Sequence, residues 1–147
     1  MIWNADTIDL ARINAFGQQG MSAQLGIVFV DYGDDWLAAE MPVDERTVQP
    51  FGRLHGGASV ALAETVGSVA GQLSVDSDKH AVVGLEINAN HIRPVASGRV
   101  RAVATAEALH RTTQIWTIRI TDEQDRLVCL SRMTLAVIAL EKARVAE

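Results

Sequence analysis

The sequence predicts an α+β fold in which one curved antiparallel sheet wraps around a long central helix. Three patterns predict it. His55 to Val75 has helix length and is apolar nearly all round, the mark of a buried helix. Four strand-length segments joined by tight reversals follow it, and such reversals imply antiparallel pairing. A hairpin pattern precedes it, and an α+β layer arrangement accommodates this order.

Taken in order, Thr7 to about Gln18 reads as a short amphipathic helix, with Ile8, Ala11 and Ala15 on one side, Leu10, Ile13 and Phe16 nearby, and Gly17 and Gly20 closing it. Gly26 to Asp31 and Trp36 to Met41 read as strands around the turn Asp31-Tyr32-Gly33-Asp34-Asp35. Pro42 to Leu54 reads as a loop punctuated by Pro50 and Gly52. The long helix comes next. Its Glu64, Thr65, Ser68 and Gln72 argue against a membrane span, because such groups are costly in lipid. The expected later strands are Ala81–Ile92, Arg99–Leu109, Thr113–Thr121 and Leu127–Ile138. The third alternates cleanly, with Gln114, Trp116, Ile118 and Ile120 sharing one side.

The 147 residues fit one domain, 1–147, with 139–147 read as a flexible tail. Hydrophobic residues make up 48% and charged residues 21%, the balance of an ordinary globular protein. The formal net charge is −5 and no run of Lys or Arg occurs, so neither nucleic acid nor an anionic membrane is an expected partner. The start, Met1-Ile2-Trp3-Asn4-Ala5-Asp6, lacks a basic n-region and an apolar h-region. The single Cys129 lies in an apolar run and reads as a small core residue. Lack of disulfides suits a reducing compartment, and a cytoplasmic location is expected. The four His residues show no metal-ligand spacing, and no metal is expected. No Gly-x-Ser-x-Gly, dinucleotide fingerprint or P-loop is present.

Two features carry chemistry. Glu64 sits among Val60, Ala61, Ala63, Val66, Gly67 and Val69, where a carboxylate is costly unless partnered. Ser68, four residues on, shares its face. A structural ion pair would also explain such an acid. The second feature is Arg53-Leu54-His55-Gly56-Gly57-Ala58-Ser59, which leads into the helix through two glycines. Glycine lets a ligand approach the backbone. Free amides at a helix start favour negative charge, including that of a developing oxyanion.

The segments Gln49-Pro50-Phe51-Gly52-Arg53-Leu54-His55-Gly56-Gly57-Ala58, Ala63-Glu64-Thr65-Val66-Gly67-Ser68-Val69-Ala70-Gly71 and Val83-Gly84-Leu85-Glu86-Ile87-Asn88-Ala89-Asn90-His91 together resemble the hotdog-fold thioesterases of the second 4-hydroxybenzoyl-CoA type. Within that family the chain resembles the 1,4-dihydroxy-2-naphthoyl-CoA thioesterases of menaquinone synthesis and the proofreading thioesterase of enterobactin synthesis. The likeness runs from Met1-Ile2-Trp3 to about Val137.

The resemblance implies a hydrolase acting on an acyl-CoA, with CoA as part of the substrate and no separate cofactor. Glu64 would be nucleophile or general base, and the Gly56 amide would hold the thioester oxygen. His55 and Gln49 would position the thioester or the water, and Ser68 would sit beside Glu64. The family site lies between subunits, with Glu64 and Ser68 facing Gln49, His55 and Gly56 of the partner subunit, in a homotetramer built as a dimer of dimers. Gly84, His91, Ile92, Arg93 and Pro94 match stretches that contact substrate or the CoA arm. Val69 matches the residue type that lines the acyl pocket in the naphthoyl-CoA branch. Leu109–Trp116 departs from the pattern, lacking the Gly-Arg pair that precedes the Trp-bearing strand. Arg111, with Thr112 and Thr113, still suits a CoA phosphate, since guanidinium matches that geometry.

Aryl-CoA is the expected substrate. The alternatives within the family are an aryl acyl-carrier-protein and a broad range of acyl-CoAs. A hydratase of the same fold would need a catalytic His paired with a carboxylate to move a carbon-bound proton. A non-catalytic acyl-CoA sensor would need a DNA-binding or partner module, and no segment here provides one.

Overall fold

The computed structural model describes residues 1–140. Two short helices, α1 (Leu10–Phe16) and α2 (Gly20–Leu25), precede the hairpin of β1 (Val28–Tyr32) and β2 (Trp36–Pro42). The long helix α3 (Gly56–Leu73) follows, then β3 (His80–His91), β4 (Arg99–Leu109), β5 (Thr113–Thr121) and β6 (Leu127–Ala139). The six strands form one sheet in the order β1-β2-β4-β5-β6-β3 with every pair antiparallel, and α3 packs across β2 to β6. This is the hotdog fold. Helix α3 carries the chain across the sheet and leaves β3 as an edge strand beside β6.

α3 holds no proline and starts on His55, whose side chain caps it. Its buried face is Ala58, Ser59, Leu62, Ala63, Val66, Gly67, Ala70 and Gly71, spaced by three and four residues. Small side chains there let the helix sit close to the sheet, and a Cβ at Gly71 would overlap Leu135. Burying Leu62 and Val66 contributes roughly 1.5–3 kcal/mol each. From the sheet side, Trp116, Ile118 and Ile120 are fully buried and Gln114 nearly so, which is the alternation expected for β5. Gln114 satisfies its amide inside the core by donating to Ser74 Oγ at 3.0 Å, and its Oε1 accepts from Trp116 Nε1 at 3.0 Å. Trp3 stacks on Trp116 with ring centroids 6.4 Å apart. Cys129 is a buried core residue, and burial pushes its thiol up.

Three expectations are corrected. The helix expected over Thr7–Gln18 is split. α1 starts only at Leu10, capped by Asp9, whose Oδ1 accepts from Arg12 N at 3.0 Å. Gly20 opens α2 rather than ending α1, and Gly26 closes α2 in the left-handed region, so β1 begins at Val28. Of the side read as Ile8, Ala11 and Ala15 only Ile8 is buried; Leu10 and Ile13 pack against the core, while Ala11, Ala15 and Phe16 face outward. Finally, α3 is not buried all round. One stripe faces out, and Glu64 is exposed on it instead of being embedded among aliphatic groups. No element of the described chain covers that stripe at Glu64. Of the segment 139–147, Ala139 ends β6 and Leu140 N–H donates to Lys79 O at 2.8 Å, while residues 141–147 lie outside the described residues.

Candidate active site

The loop before α3 is held open as a short hairpin. Val48 bridges Leu54, Gln49 N–H donates to Arg53 O at 2.8 Å, and Gly52 N–H donates to Gln49 O at 2.9 Å. The turn needs a left-handed residue, and Gly52 supplies it at φ +74°. Phe51 N–H donates to Gln49 Oε1, which leaves the amide NH₂ of Gln49 uncommitted. Leu54 N–H donates to Val95 O at 2.8 Å, tying the loop to the chain that leaves β3.

His55 is the cap of α3, and its Nδ1 accepts from Gly57 N at 2.8 Å. An accepting Nδ1 assigns the ring proton to Nε2 in the neutral imidazole. Gly56 N–H donates to no protein acceptor among the described residues. It lies in the first turn of α3, where the aligned peptide dipoles favour negative charge. The His91 ring lies against Gly56, and a Cβ there would stand 2.9 Å from His91 Nε2. Gln49, Arg53, Gly56, His91, Ile92, Arg93 and Pro94 line a cleft of about 330 Å³ with Leu54, Ser59 and Val128. Ile92 and Arg93 are held there by donating to Val128 O at 2.8 and 3.2 Å.

A second group lies apart from this cleft. Glu64 comes eight residues after Gly56, about 12 Å along the axis at 1.5 Å per residue. Its Oε1 reaches over Gly84 of β3. Ser68 is half-buried one turn further on, and Val69 is half-buried and packs against the core. Arg111, Thr112 and Thr113 sit at the β4–β5 reversal, where Thr112 O accepts from Val137 N at 2.9 Å. That reversal lies at the C-terminal end of α3, because the adjoining Gln114 reaches Ser74. Within one chain, therefore, Gln49, Gly56, His91, Ile92, Arg93 and Pro94 come together, with His55 capping the same helix end. Glu64, Ser68 and Gly84 form another group. The Arg111–Thr113 turn joins neither.

Residues 51–129, covering the loop end, α3 and the strands as far as β6, match the Thioesterase superfamily. The chain belongs to that superfamily. It is a thioester hydrolase. It is similar to the 1,4-dihydroxy-2-naphthoyl-CoA hydrolase of Escherichia coli, with 53% identity over 94% of this chain and 100% of that one. It is similar in structure to a Pseudomonas aeruginosa thioesterase solved as a glutamine-to-alanine mutant. There the TM-score is 0.93 and the identity 48%, covering 95% of this chain and 100% of the other. A Staphylococcus aureus thioesterase has been solved with a glutamate replaced by alanine and with a glutamine replaced by alanine. Its TM-scores are 0.79 and 0.76, with 36% and 35% identity, covering 82% and 79% of this chain and 100% and 96% of the other.

In this thioesterase, sequence reasoning left Arg53, Leu54, Ser59 and Val128 out of the site. Arg53 carried a usable signal, since it stands two residues before the helix cap and pairs across the turn with Gln49. Ser59 and Val128 carried none, because each reads as core and is in fact buried. Among the described residues, no three His, Cys, Asp or Glu side chains converge to hold a metal ion. No described helix is long and apolar enough to cross a membrane.

Proposed function

We propose that this thioesterase hydrolyses an aromatic acyl-CoA, of the 1,4-dihydroxy-2-naphthoyl-CoA kind that serves menaquinone synthesis, to the free acid and CoA. The observation that carries the reading is the Gly56 amide, without a protein acceptor among the described residues, in the first turn of α3 and lining a cleft. It stabilises the charge that develops on the thioester oxygen. Glu64 then either attacks the carbonyl carbon, giving a mixed anhydride that water cleaves, or takes a proton from a water held by Gln49. Either way one C–O bond forms to water-derived oxygen and the C–S bond breaks. The sulfur leaves as thiolate, a good leaving group that needs no strong general acid.

Glu64 stands about 12 Å along α3 from Gly56, so the reading needs two subunits. Glu64 and Ser68 face Gln49, His55 and Gly56 of the partner subunit, in a homotetramer assembled as a dimer of dimers. The edge position of β3 supports this, because Val83, Gly84, Leu85 and Glu86 are exposed in succession along an unpaired edge. The alanine mutants of the Staphylococcus aureus relative support the roles. Its altered glutamine and glutamate stand fifteen positions apart, which is the separation of Gln49 and Glu64. Val69, beside Ser68, faces the aryl group, and Arg111, Thr112 and Thr113 contribute to the CoA arm. The enzyme works in the cytoplasm, a setting that suits a chain whose one thiol is buried and unpaired.

The test is a substrate panel of naphthoyl-CoA, benzoyl-CoA, aliphatic acyl-CoA and an aryl acyl-carrier-protein, each assayed for kcat/KM. The aryl-CoA thioesters are expected to lead. A lead for the carrier protein makes the enzyme a proofreader, and equal rates make it a broad acyl-CoA thioesterase.

A further inference from the structure

We infer that Gln72 is a positioning residue: it closes the head of β3, and so sets the register in which β3 pairs with a second copy of this chain and brings Glu64 to the partner's Gly56. The inference rests on the two-subunit reading above. Gln72 follows Glu64 and Ser68 at four-residue spacing on α3. Its Oε1 accepts from Val82 N at 3.0 Å, and its Nε2 donates to His80 O at 3.2 Å. One carboxamide thus takes the place of a neighbouring strand. The opposite edge of the sheet is closed in the same way. Asn14 of α1 donates through Nδ2 to Phe29 O and accepts at Oδ1 from Phe29 N, both at 2.8 Å. The edge of β1 is therefore occupied at its centre, whereas β3 is closed only as far as Val82.

Exposure begins where the clasp ends. His80, Ala81 and Val82 are half-buried, while Val83, Gly84, Leu85 and Glu86 are exposed, Leu85 by 60%. Among the described residues, the one side-chain bond to the backbone of Val83–His91 comes from the paired strand β6, where Ser131 Oγ donates to Asn88 O at 2.7 Å. An open apolar edge is a template for another strand. A second copy is the occupant, because Glu64 and Gly56 stand about 12 Å apart along α3 in one chain. Paired antiparallel with itself about a two-fold axis, the open stretch overlaps most with Val83 opposite the partner's His91 and Ile87 at the axis. The Gly84 end of one β3 then lies beside the His91 end of the other. Glu64 Oε1 reaches over Gly84, and the His91 ring lies against Gly56, so this register joins the carboxylate of one subunit to the amide of the next. A slip of two residues separates them by about 7 Å, and a slip of one turns the side chains to the wrong face. With Val82 N–H and His80 O already engaged, a partner strand gains no bond by sliding past Val83.

The experiment combines cross-linking with kinetics on the full chain. Ile87→Cys is placed in a Cys129→Ala background, with Gln72 intact or changed to Leu or Glu, and oxidised with copper phenanthroline. Residues directly opposite across antiparallel strands have Cβ atoms about 4.5–5.5 Å apart, close enough for a disulfide after a small adjustment. A linked dimer is expected with Gln72 and should be lost in Gln72→Leu. In chains without the added cysteine, Gln72→Leu should lower kcat on aryl-CoA at least about tenfold, since a misplacement of an ångström already costs that much. The loss should lie mainly in kcat. Gln72→Glu keeps an acceptor for Val82 N–H and should recover part of both the cross-link and the rate. Hydrogen exchange at the Val82 amide reports whether the clasp has opened. Normal kcat and an unchanged cross-link with Val82 unprotected overturn the inference and leave the two-subunit reading intact. An active dimer with intact Gln72 that fails to link through Ile87→Cys overturns the register. A fully active monomer sinks the two-subunit reading itself.

Discussion

Glu64 Oε1 lies over the backbone of Gly84, so near that a Cβ on Gly84 would stand 3.1 Å from it. The carboxylate owes its position on α3 to a missing side chain on β3. Gly84→Ala is therefore expected to displace the carboxylate and lower kcat at least about tenfold. Glu64 is long and exposed and can swing aside, so stability should change by less than about 1 kcal/mol. Kinetics and thermal unfolding of the same preparation check this. Normal kcat in a folded Gly84→Ala protein would detach Gly84 from catalysis.

Glu64→Gln should reduce turnover by about a hundredfold or more, the usual scale for a lost general base. Glu64 is exposed and forms no ion pair among the described residues, so the melting temperature should hardly move. Single-turnover assays with aryl-CoA measure the effect, and near-normal hydrolysis would remove Glu64 from the mechanism.

His55 has two separable tasks. Its Nδ1 caps α3, and in the mechanism proposed above its ring positions the thioester or the water. His55→Ala should cost about 1 kcal/mol of stability, the typical value of a helix cap. His55→Asn keeps a capping oxygen and should retain that stability while losing activity. Denaturant unfolding beside kcat separates the tasks. If His55→Asn is fully active, the imidazole serves the fold alone.

Asp122 organises the β5–β6 turn by accepting from Gln124 N and Arg126 N at 3.0 Å and from Arg126 Nε at 2.8 Å. Burial pushes its carboxyl up, but the Arg126 and Gln124 amides and the Arg126 guanidinium outweigh burial and hold it below the usual carboxylate range. A lowered carboxyl stabilises the fold at pH above its unfolded value, about 3.9. That stability is lost as pH falls through the lower folded value. Asp122→Ala should thus be less stable at pH 7, and its stability should fall less steeply than that of wild type below about pH 4. Urea unfolding from pH 7 to 3 tests this. Parallel curves for the two proteins would deny Asp122 the role.

What the sequence made legible followed from short-range geometry. The β5 alternation predicted the buried side because strands repeat every two residues and this one is central in the sheet. The run before α3 was legible because a cap and two glycines leave few conformations. The split of α1 and α2 was not, since Gly20 and Gly26 look alike in sequence while one opens a helix and the other closes it. Nor was the exposure of Glu64. Aliphatic neighbours show that a helix has much to bury, yet Glu64 stands exposed on the outward stripe, its carboxylate touching only the edge strand at Gly84 among the described residues. That Arg53 and Arg93 line one cleft was hidden for a similar reason, since forty positions separate them in the chain.

Trp3 also has a practical consequence. Its indole N–H donates to Gly33 O at 2.7 Å, while Ile2 N–H donates to Asp34 O and Asn4 N–H to Leu73 O, both at 2.9 Å. Those bonds fasten the chain's first residues across the hairpin tip and the end of α3, with the indole roofing Trp116. Trimming this stretch, or pulling on it with a bulky fusion, would unroof an otherwise dry tryptophan. Its emission would then redden, giving an intrinsic optical gauge of whether an altered preparation has kept its interior shut.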